Sequence, residues 1–300
     1  MRALVTGSHG FVGKHLLRHL REHGDEVHGI DRERDVTNER SMHEVFEWFR
    51  PDVTFHLAAL THVGDSWDQA EEFTRINVVG TQRVLEASFA ANPAAMTVLV
   101  SSSEVYGVTR PEDQPLRESF RLAPANPYSA SKVEAERVAH EALRVRGQRV
   151  VIARPFNHLG PGQSVSFVVP ALVSRLLEAA AHGDREIPVG DLTTRRDFSD
   201  VRDVVRAYRL LAEHGVAGEA YNVASGVDVA LGDIAARLVA ELAPSVELVV
   251  DPALLRPTEV PVSRGSAQKI HEATGWAPMI ALSTTLKDVI DDQRARLGET

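Results

Sequence analysis

Tyr128-Ser129-Ala130-Ser131-Lys132 sets a phenol and an ammonium four residues apart, hence on one face of a helix. A phenol near its reference pKa of about 10 is a poor proton shuttle at neutral pH. A neighbouring ammonium favours the ionised form, and a three-unit depression corresponds to roughly 4 kcal/mol. The spacing therefore predicts a phenol tuned downward by Lys132. On an ordinary amphipathic helix the same pair would be two solvated side chains. Against that, only Lys14, Lys132, Lys269 and Lys287 among the 33 basic residues are lysines, so a Lys at this spacing carries weight. Upstream, Ser101-Ser102-Ser103-Glu104-Val105-Tyr106-Gly107 closes an apolar run. There a Ser102 hydroxyl can hold a carbonyl oxygen beside the phenol, and Glu104 offers a second acid or base.

Gly7-Ser8-His9-Gly10-Phe11-Val12-Gly13 links a β-branched run to a helical one, the setting in which a glycine-rich turn has meaning. Gly7 suits the tight turn, Gly10 a close approach by pyrophosphate, and Gly13 close helix packing. The amides from Phe11 and Val12 onward, with the helix dipole, then face an anion. Asp31 ends the second run, where a carboxylate accepts from the adenosine ribose hydroxyls of NAD(H). Arg32 and Arg34 follow, and a guanidinium there would receive the 2′-phosphate of NADP(H). Asp35-Val36 fits either a place under the adenine edge or the start of a helix after Thr37.

The elements that must position these residues alternate. Strands are predicted at Ala3 to Thr6, Glu26 to Ile30, Val53 to Leu57, Thr97 to Ser101 and Arg149 to Ala153, with helices at 11–23, 38–49, 67–91 and 128–146. This is an α/β pattern, a doubly wound parallel sheet of Rossmann type followed by a smaller mixed α/β substrate domain. The boundaries drawn are 1–153 for dinucleotide binding and 154–300 mainly for substrate, with a part around 200–225, including Tyr221 to Val223, returning to the first sheet. A ligand belongs in the cleft between them.

Composition narrows the partners. A net charge of −9 over 300 residues disfavours polymeric nucleic acid and anionic membrane surfaces. The absence of cysteine excludes thiolate chemistry, disulfides and cysteine-based zinc sites. Met1 to Gly7 runs straight into a strand pattern without the basic and apolar regions of a signal segment, and the apolar stretch near Phe167 to Val173 is far shorter than a membrane span and broken by Pro170. A soluble cytoplasmic protein is expected. His15, His19 and His23 recur at a metal-ligand interval, but among Arg18, Arg21 and Glu22 they read as a solvated helix face, and no metal is expected. His56 reads as a packed strand residue, and His62 as one near nicotinamide or substrate.

The residues also resemble a known family, the extended short-chain dehydrogenase/reductases that act on nucleotide sugars. Gly7-x-x-Gly10-x-x-Gly13, His56-Leu57-Ala58-Ala59, Asn77-Val78-Val79-Gly80-Thr81, Ser102 four residues before Tyr106, Tyr128-x-x-x-Lys132 and Arg154-Pro155-x-Asn157 match its motifs in order over nearly the whole chain. The resemblance implies NAD(H) or NADP(H), held also by Leu57, Ala58, Ala59, Asn77, Tyr128, Lys132 and Pro155. It further implies Ser102, Tyr128 and Lys132 as a catalytic trio and Asn77 as organiser of the proton relay.

The second half, notably Phe156 to Gln163, Arg195 to Asp203 and Asp251 to Val260, is most similar to GDP-4-keto-6-deoxy-D-mannose reductases. That implies Ser103, Asn157, Arg196, Arg256 and Glu259 as holders of a GDP-linked sugar, and arginines suit its diphosphate. GDP-mannose 4,6-dehydratases and nucleotide-sugar 4-epimerases share the same core, and Glu104 fits reductase and dehydratase alike. Ser103 stands where dTDP-sugar dehydratases carry Asp. A non-catalytic dinucleotide sensor would not need the Tyr/Lys pair. A homodimer built on the helices around 67–91 and 128–146 is expected from the resemblance alone.

Overall fold

A computed structural model describes residues 1–255 and 260–298. In chain order the elements are β1 (Arg2–Thr6), α1 (Phe11–Glu22), β2 (Glu26–Ile30), α2 (Glu39–Phe49), β3 (Val53–His56), α3 (Ala70–Thr74), α4 (Gly80–Ala91), β4 (Met96–Val100), α5 (Pro127–Arg146), β5 (Arg149–Pro155), β6 (Asn157–Leu159) and α6 (Val168–His182). There follow β7 (Glu186–Val189), β8 (Arg195–Asp200), α7 (Val201–His214), β9 (Ala220–Val223), β10 (Asp228–Ala230), α8 (Leu231–Leu242), β11 (Glu247–Val250), β12 (Val262–Ser263), α9 (Gln268–Thr274) and α10 (Leu282–Leu297).

The main sheet runs β2-β1-β3-β4-β5-β9, every pairing parallel. Its strands are apolar on both faces because both are covered. Ala3 and Val5 pack with α1 and α7 side chains such as Leu16, Leu20, Val204 and Tyr208. Leu4, between them in sequence, points the other way into Met42, Phe46 and Val84 of α2 and α4. The order in which successive strands are added switches sides between β1 and β3, and the crossovers leaving in opposite directions open a crevice at their carboxyl ends. The stretch 201–223 supplies α7 to one face and β9 to the edge of this sheet.

A smaller mixed sheet has β8 between β10 and β12, with β6 also on β8; β7 and β11 form a separate parallel pair. α6, α8 and α10 cover these strands with Leu172, Leu176, Leu238 and Val289.

The helix expected over 67–91 begins only at Ala70 and is interrupted by a π-helical turn at Arg75–Val79. Tertiary bonds impose the interruption. The Asn77 amide reaches across to both backbone atoms of Leu60, and Thr81 Oγ1 donates to the Asn77 carbonyl at 2.6 Å.

β8 is joined to α7 by Asp200, whose buried carboxylate caps the helix at Arg202 N, grips the Arg202 guanidinium and accepts from Thr285 Oγ1 of α10. Burial raises its pKa, but the bonds and charge of Arg202 outweigh this and hold it below the usual carboxylate value. A depressed folded pKa contributes stability above the unfolded value, lost as pH falls through the folded one. Asp200→Ala should lower stability by about 3 kcal/mol in urea unfolding near neutral pH, with the difference from wild type shrinking as the medium is acidified below pH ~4.

Candidate active site

Gly7 follows β1 with φ +72°, a conformation that suits glycine, and a Cβ there would lie 2.8 Å from Ala58 N, just past the end of β3. A Cβ on Gly13 would overlap the Gly7 carbonyl oxygen, so α1 packs flush against the loop. Gly10 caps α1 with extended backbone, no side chain caps the helix, and its first turn carries no acid. The amides at Phe11, Val12 and Gly13 are thus disposed toward an anion. This cradle fits a dinucleotide diphosphate.

Asp31 lies beside the cradle. Its carboxylate accepts from His9 N at 2.7 Å and Arg32 N at 2.9 Å, tying the glycine loop to the end of β2. Arg32 is exposed, and Arg34 lies 3.6 Å from Glu44. Asp35 accepts from Thr37 and is met by Arg75 at 3.3 Å, while Val36 is buried against α4. The helix cap that the sequence allowed Asp35 falls to Asn38, which accepts from Ser41 N. Leu57 and Ala58 are held through Thr6, and Ala59 follows on the same loop. Asn77 is buried, donating to Leu60 O at 3.0 Å and Ser131 Oγ at 2.8 Å.

Ser102, Tyr128 and Lys132 converge where β4 meets α5. Tyr128 is 7% exposed, with Phe73 of α3 edge-on to its ring at 6.2 Å. Lys132 is 5% exposed and donates from Nζ to Val100 O at 2.9 Å. The expected downward tuning of the phenol is not what the structure holds. Burial pushes Tyr128 up to about 12; a hydrogen bond with Ser102 opposes this and the Glu104 charge adds to it. Burial also pushes Lys132 down to about 8, against the Glu136 charge. The ammonium is directed to the strand end and desolvation dominates at the phenol, so Tyr128 is a protonated acid at neutral pH. Glu104 is exposed, 3.5 Å from Asn126 Nδ2, and Ser103 is half-buried beside it.

On the small sheet, Asn157 is exposed at the start of β6 opposite Phe198 of β8. Two residues along β8, Arg196 donates from Nη1 to Val260 O at 2.7 Å and Arg195 O at 2.9 Å. Pro155 is buried at the end of β5. Arg256 and Glu259 lie outside the described residues.

One histidine differs from expectation. His15 is buried rather than solvated, its Nε2 2.8 Å from Pro161 O and its ring edge-on to Phe11. His62 is exposed and paired with Asp65 at 2.9 Å. His56 is buried between Thr6 and Thr81, as a packed strand residue should be. Sequence reasoning also missed a buried network of Ser101, Tyr106, Glu136, Arg154 and Asn222 behind the trio. Its one signal was a pair of opposite charges in otherwise apolar helix and strand faces.

Residues 3–224 match the NAD dependent epimerase/dehydratase family. The GDP-6-deoxy-D-mannose reductase of Pseudomonas aeruginosa is 35% identical, the match covering 99% of each chain. The GDP-6-deoxy-D-talose 4-dehydrogenase of Aggregatibacter actinomycetemcomitans is 33% identical over 92% of each. A solved structure of RMD from Pseudomonas aeruginosa complexed with NADPH has a TM-score of 0.90 at 33% identity, covering 99% of this chain and 100% of that one. The chain belongs to the NAD-dependent epimerase/dehydratase family. Membership makes NAD(H) or NADP(H) the coenzyme, and the glycine cradle at the end of β1 fits its diphosphate. Gly13→Ala should therefore weaken binding of NADH or NADPH at least about tenfold, read by quenching of coenzyme fluorescence, because the cradle cannot close around the diphosphate.

Proposed function

We propose that this chain reduces the C4 keto group of a GDP-linked 4-keto-6-deoxyhexose with NAD(P)H, giving GDP-D-rhamnose or its C4 epimer. The observation that carries the reading is the buried, protonated Tyr128 phenol beside Ser102 at the carboxyl edge of a dinucleotide-binding sheet. The near full-length likeness to proteins named for 6-deoxy-mannose and 6-deoxy-talose nucleotides supports the sugar.

A reduced nicotinamide held in the crevice would supply the hydride that C4 accepts. Tyr128 gives its proton to the carbonyl oxygen as the carbon accepts the hydride, so the ketone becomes a secondary alcohol and Tyr128 regains a proton from solvent. Ser102 orients that oxygen. Lys132 holds the nicotinamide ribose and stabilises the transient phenolate. Asn77, fixed at the π-turn, positions the relay, and Asp31 with Arg32 meets the adenosine ribose. Asn157, Arg196, Arg256 and Glu259, with Ser103, take the GDP-sugar, while residues 1–153 with the returning stretch around 200–225 form the coenzyme domain.

Glu104 sustains a second reading, dehydratase chemistry with recycled coenzyme, because an exposed carboxylate beside Tyr128 suits a carbon-acid base. The two separate cleanly. With GDP-4-keto-6-deoxymannose the enzyme should consume NAD(P)H one for one at the reduced-nicotinamide absorbance. GDP-mannose alone should remain unchanged, and its conversion would favour the dehydratase. Tyr128→Phe should cut kcat by about 10²–10⁴ while leaving coenzyme affinity within about threefold.

The expected homodimer and cytoplasmic location belong to the same proposal. A groove lined by Ala70, Thr74, Val78, Pro127 and Ala130, with Ser131 and Glu134, lies on the two helical stretches from which the pairing is expected. Sedimentation equilibrium should give twice the chain mass.

A further inference from the structure

Behind Tyr128 and Lys132 lies a buried salt-bridged layer to which the proposed reduction gives no task. Glu136, one turn beyond Lys132 on α5, is 1% exposed. Its Oε1 accepts from Ser101 Oγ at 2.5 Å and from Arg154 Nε at 2.9 Å, and its Oε2 accepts from Arg154 Nη2 at 2.6 Å. Arg154, also buried, donates from Nη1 to the Tyr106 hydroxyl and to Glu118 O, both at 3.2 Å. Tyr106 in turn donates to Asn222 Oδ1 at 2.6 Å.

A buried ion pair costs several kcal/mol of desolvation per ion, and apolar replacements are often neutral or stabilising. Stability alone is a weak reason for this one, whereas its geometry is specific. Ser101 stands between Val100, whose carbonyl holds Lys132 Nζ, and Ser102, which serves the Tyr128 phenol. A carboxylate gripping Ser101 from α5 locks the helix that carries the phenol and ammonium onto the strand end that carries their partners.

We propose that Glu136 is a positioning residue for Lys132: through Ser101 and Arg154 it fixes α5 on the ends of β4 and β5, and its charge keeps the Lys132 side chain an ammonium inside a dry site. The proposal rests on the reading of Lys132 as a coenzyme-binding member of the proton chain. The titratable groups around Lys132 fit the role. Tyr128, on the same helix, is protonated, and Glu104 faces it from the turn after β4. His56 on β3 is neutral, because burial and then the Lys132 charge push it to about 3. On β5, Arg154 stands behind Glu136; burial lowers its pKa, but the bonds and charge of Glu136 more than compensate. Glu136, one helical turn from Lys132, supplies the negative charge that opposes the burial bringing the ammonium down to about 8.

With four lysines in the chain, NMR of ε-¹³C-labelled lysine follows the Lys132 titration directly, with neither coenzyme nor sugar present. The wild-type midpoint should lie at about 8. Glu136→Gln keeps the volume and an acceptor for Ser101 but removes the charge, and should lower that midpoint by about one unit. The pH at which NAD(P)H affinity begins to weaken should move down by the same interval. Glu136→Asp, which restores the charge at shorter reach, should return the midpoint most of the way. Since Glu136→Gln leaves Arg154 buried without its counter-charge and can unfold the chain, Glu136→Gln/Arg154→Met is the second variant, and its midpoint should also fall below wild type. An unchanged midpoint in any folded variant lacking the Glu136 charge overturns the proposal, even if thermal stability drops. If the wild type binds neither NADH nor NADPH, the reading of Lys132 fails instead, and the NMR midpoint still decides whether Glu136 sets its charge.

Discussion

Burial drives the two ionisable groups at the centre of the site toward their neutral forms, Tyr128 up to about 12 and Lys132 down to about 8. The rest of the site is arranged around that constraint. A phenol that stays protonated is a sound store for the proton a ketone needs, but giving it up leaves a phenolate in dry surroundings. That step requires a positive charge nearby, which burial tends to remove. The two requirements conflict unless something holds the ammonium charged from behind, and the buried Glu136–Arg154 pair is placed to do so. Water exclusion also strengthens every remaining charge interaction in the site.

Much of the coenzyme half was legible in the chain itself. Strand and helix positions through residue 155 follow from period and punctuation, because a doubly wound sheet buries its strands on both faces and spaces them with amphipathic helices. The legible part ends where tertiary bonds overrule local pattern. Residues 67–91 have helical periodicity throughout, yet the Asn77 side chain is claimed by the Leu60 backbone and Ser131, and the ladder widens there into a π-turn. His15 looked solvated among charged neighbours because its covering loop, at Pro161, lies nearly half the chain away. Periodicity along one helix cannot register a surface supplied from so far off.

The site was legible in its membership but not in its electrostatics. Tyr128, Lys132 and Ser102 were identifiable from spacing and resemblance, and the structure brings them together. The sign of the Tyr128 shift was not, because spacing reports proximity but neither burial nor the direction in which an ammonium points. Lys132 spends its hydrogen bond on Val100 O, and desolvation then sets the phenol. Glu136 was invisible for a related reason. A glutamate followed by arginine on a helix reads as a solvated charge until β5 is known to set Arg154 against it.

Strand β5 extends this logic from the coenzyme to the substrate. Arg154 points into the Glu136 clasp, and the chain continues through Pro155 and Phe156 to Asn157, where β6 opens the small sheet. Phe156 is buried, its amide bonded to Val223 O of β9, so little slack separates the clasp from Asn157. Three residues of extended chain span about 10 Å. The ion pair that fixes Lys132 therefore also fixes the point at which the chain leaves the coenzyme sheet for the surface carrying Asn157 and Arg196. Hydride transfer needs donor and acceptor carbons aligned to a fraction of an ångström, and two groups of elements that flexed independently would lose that alignment. A buried charge pair is a costly joint, but its directional, bidentate bonds resist shear in a way that an apolar contact of equal area does not.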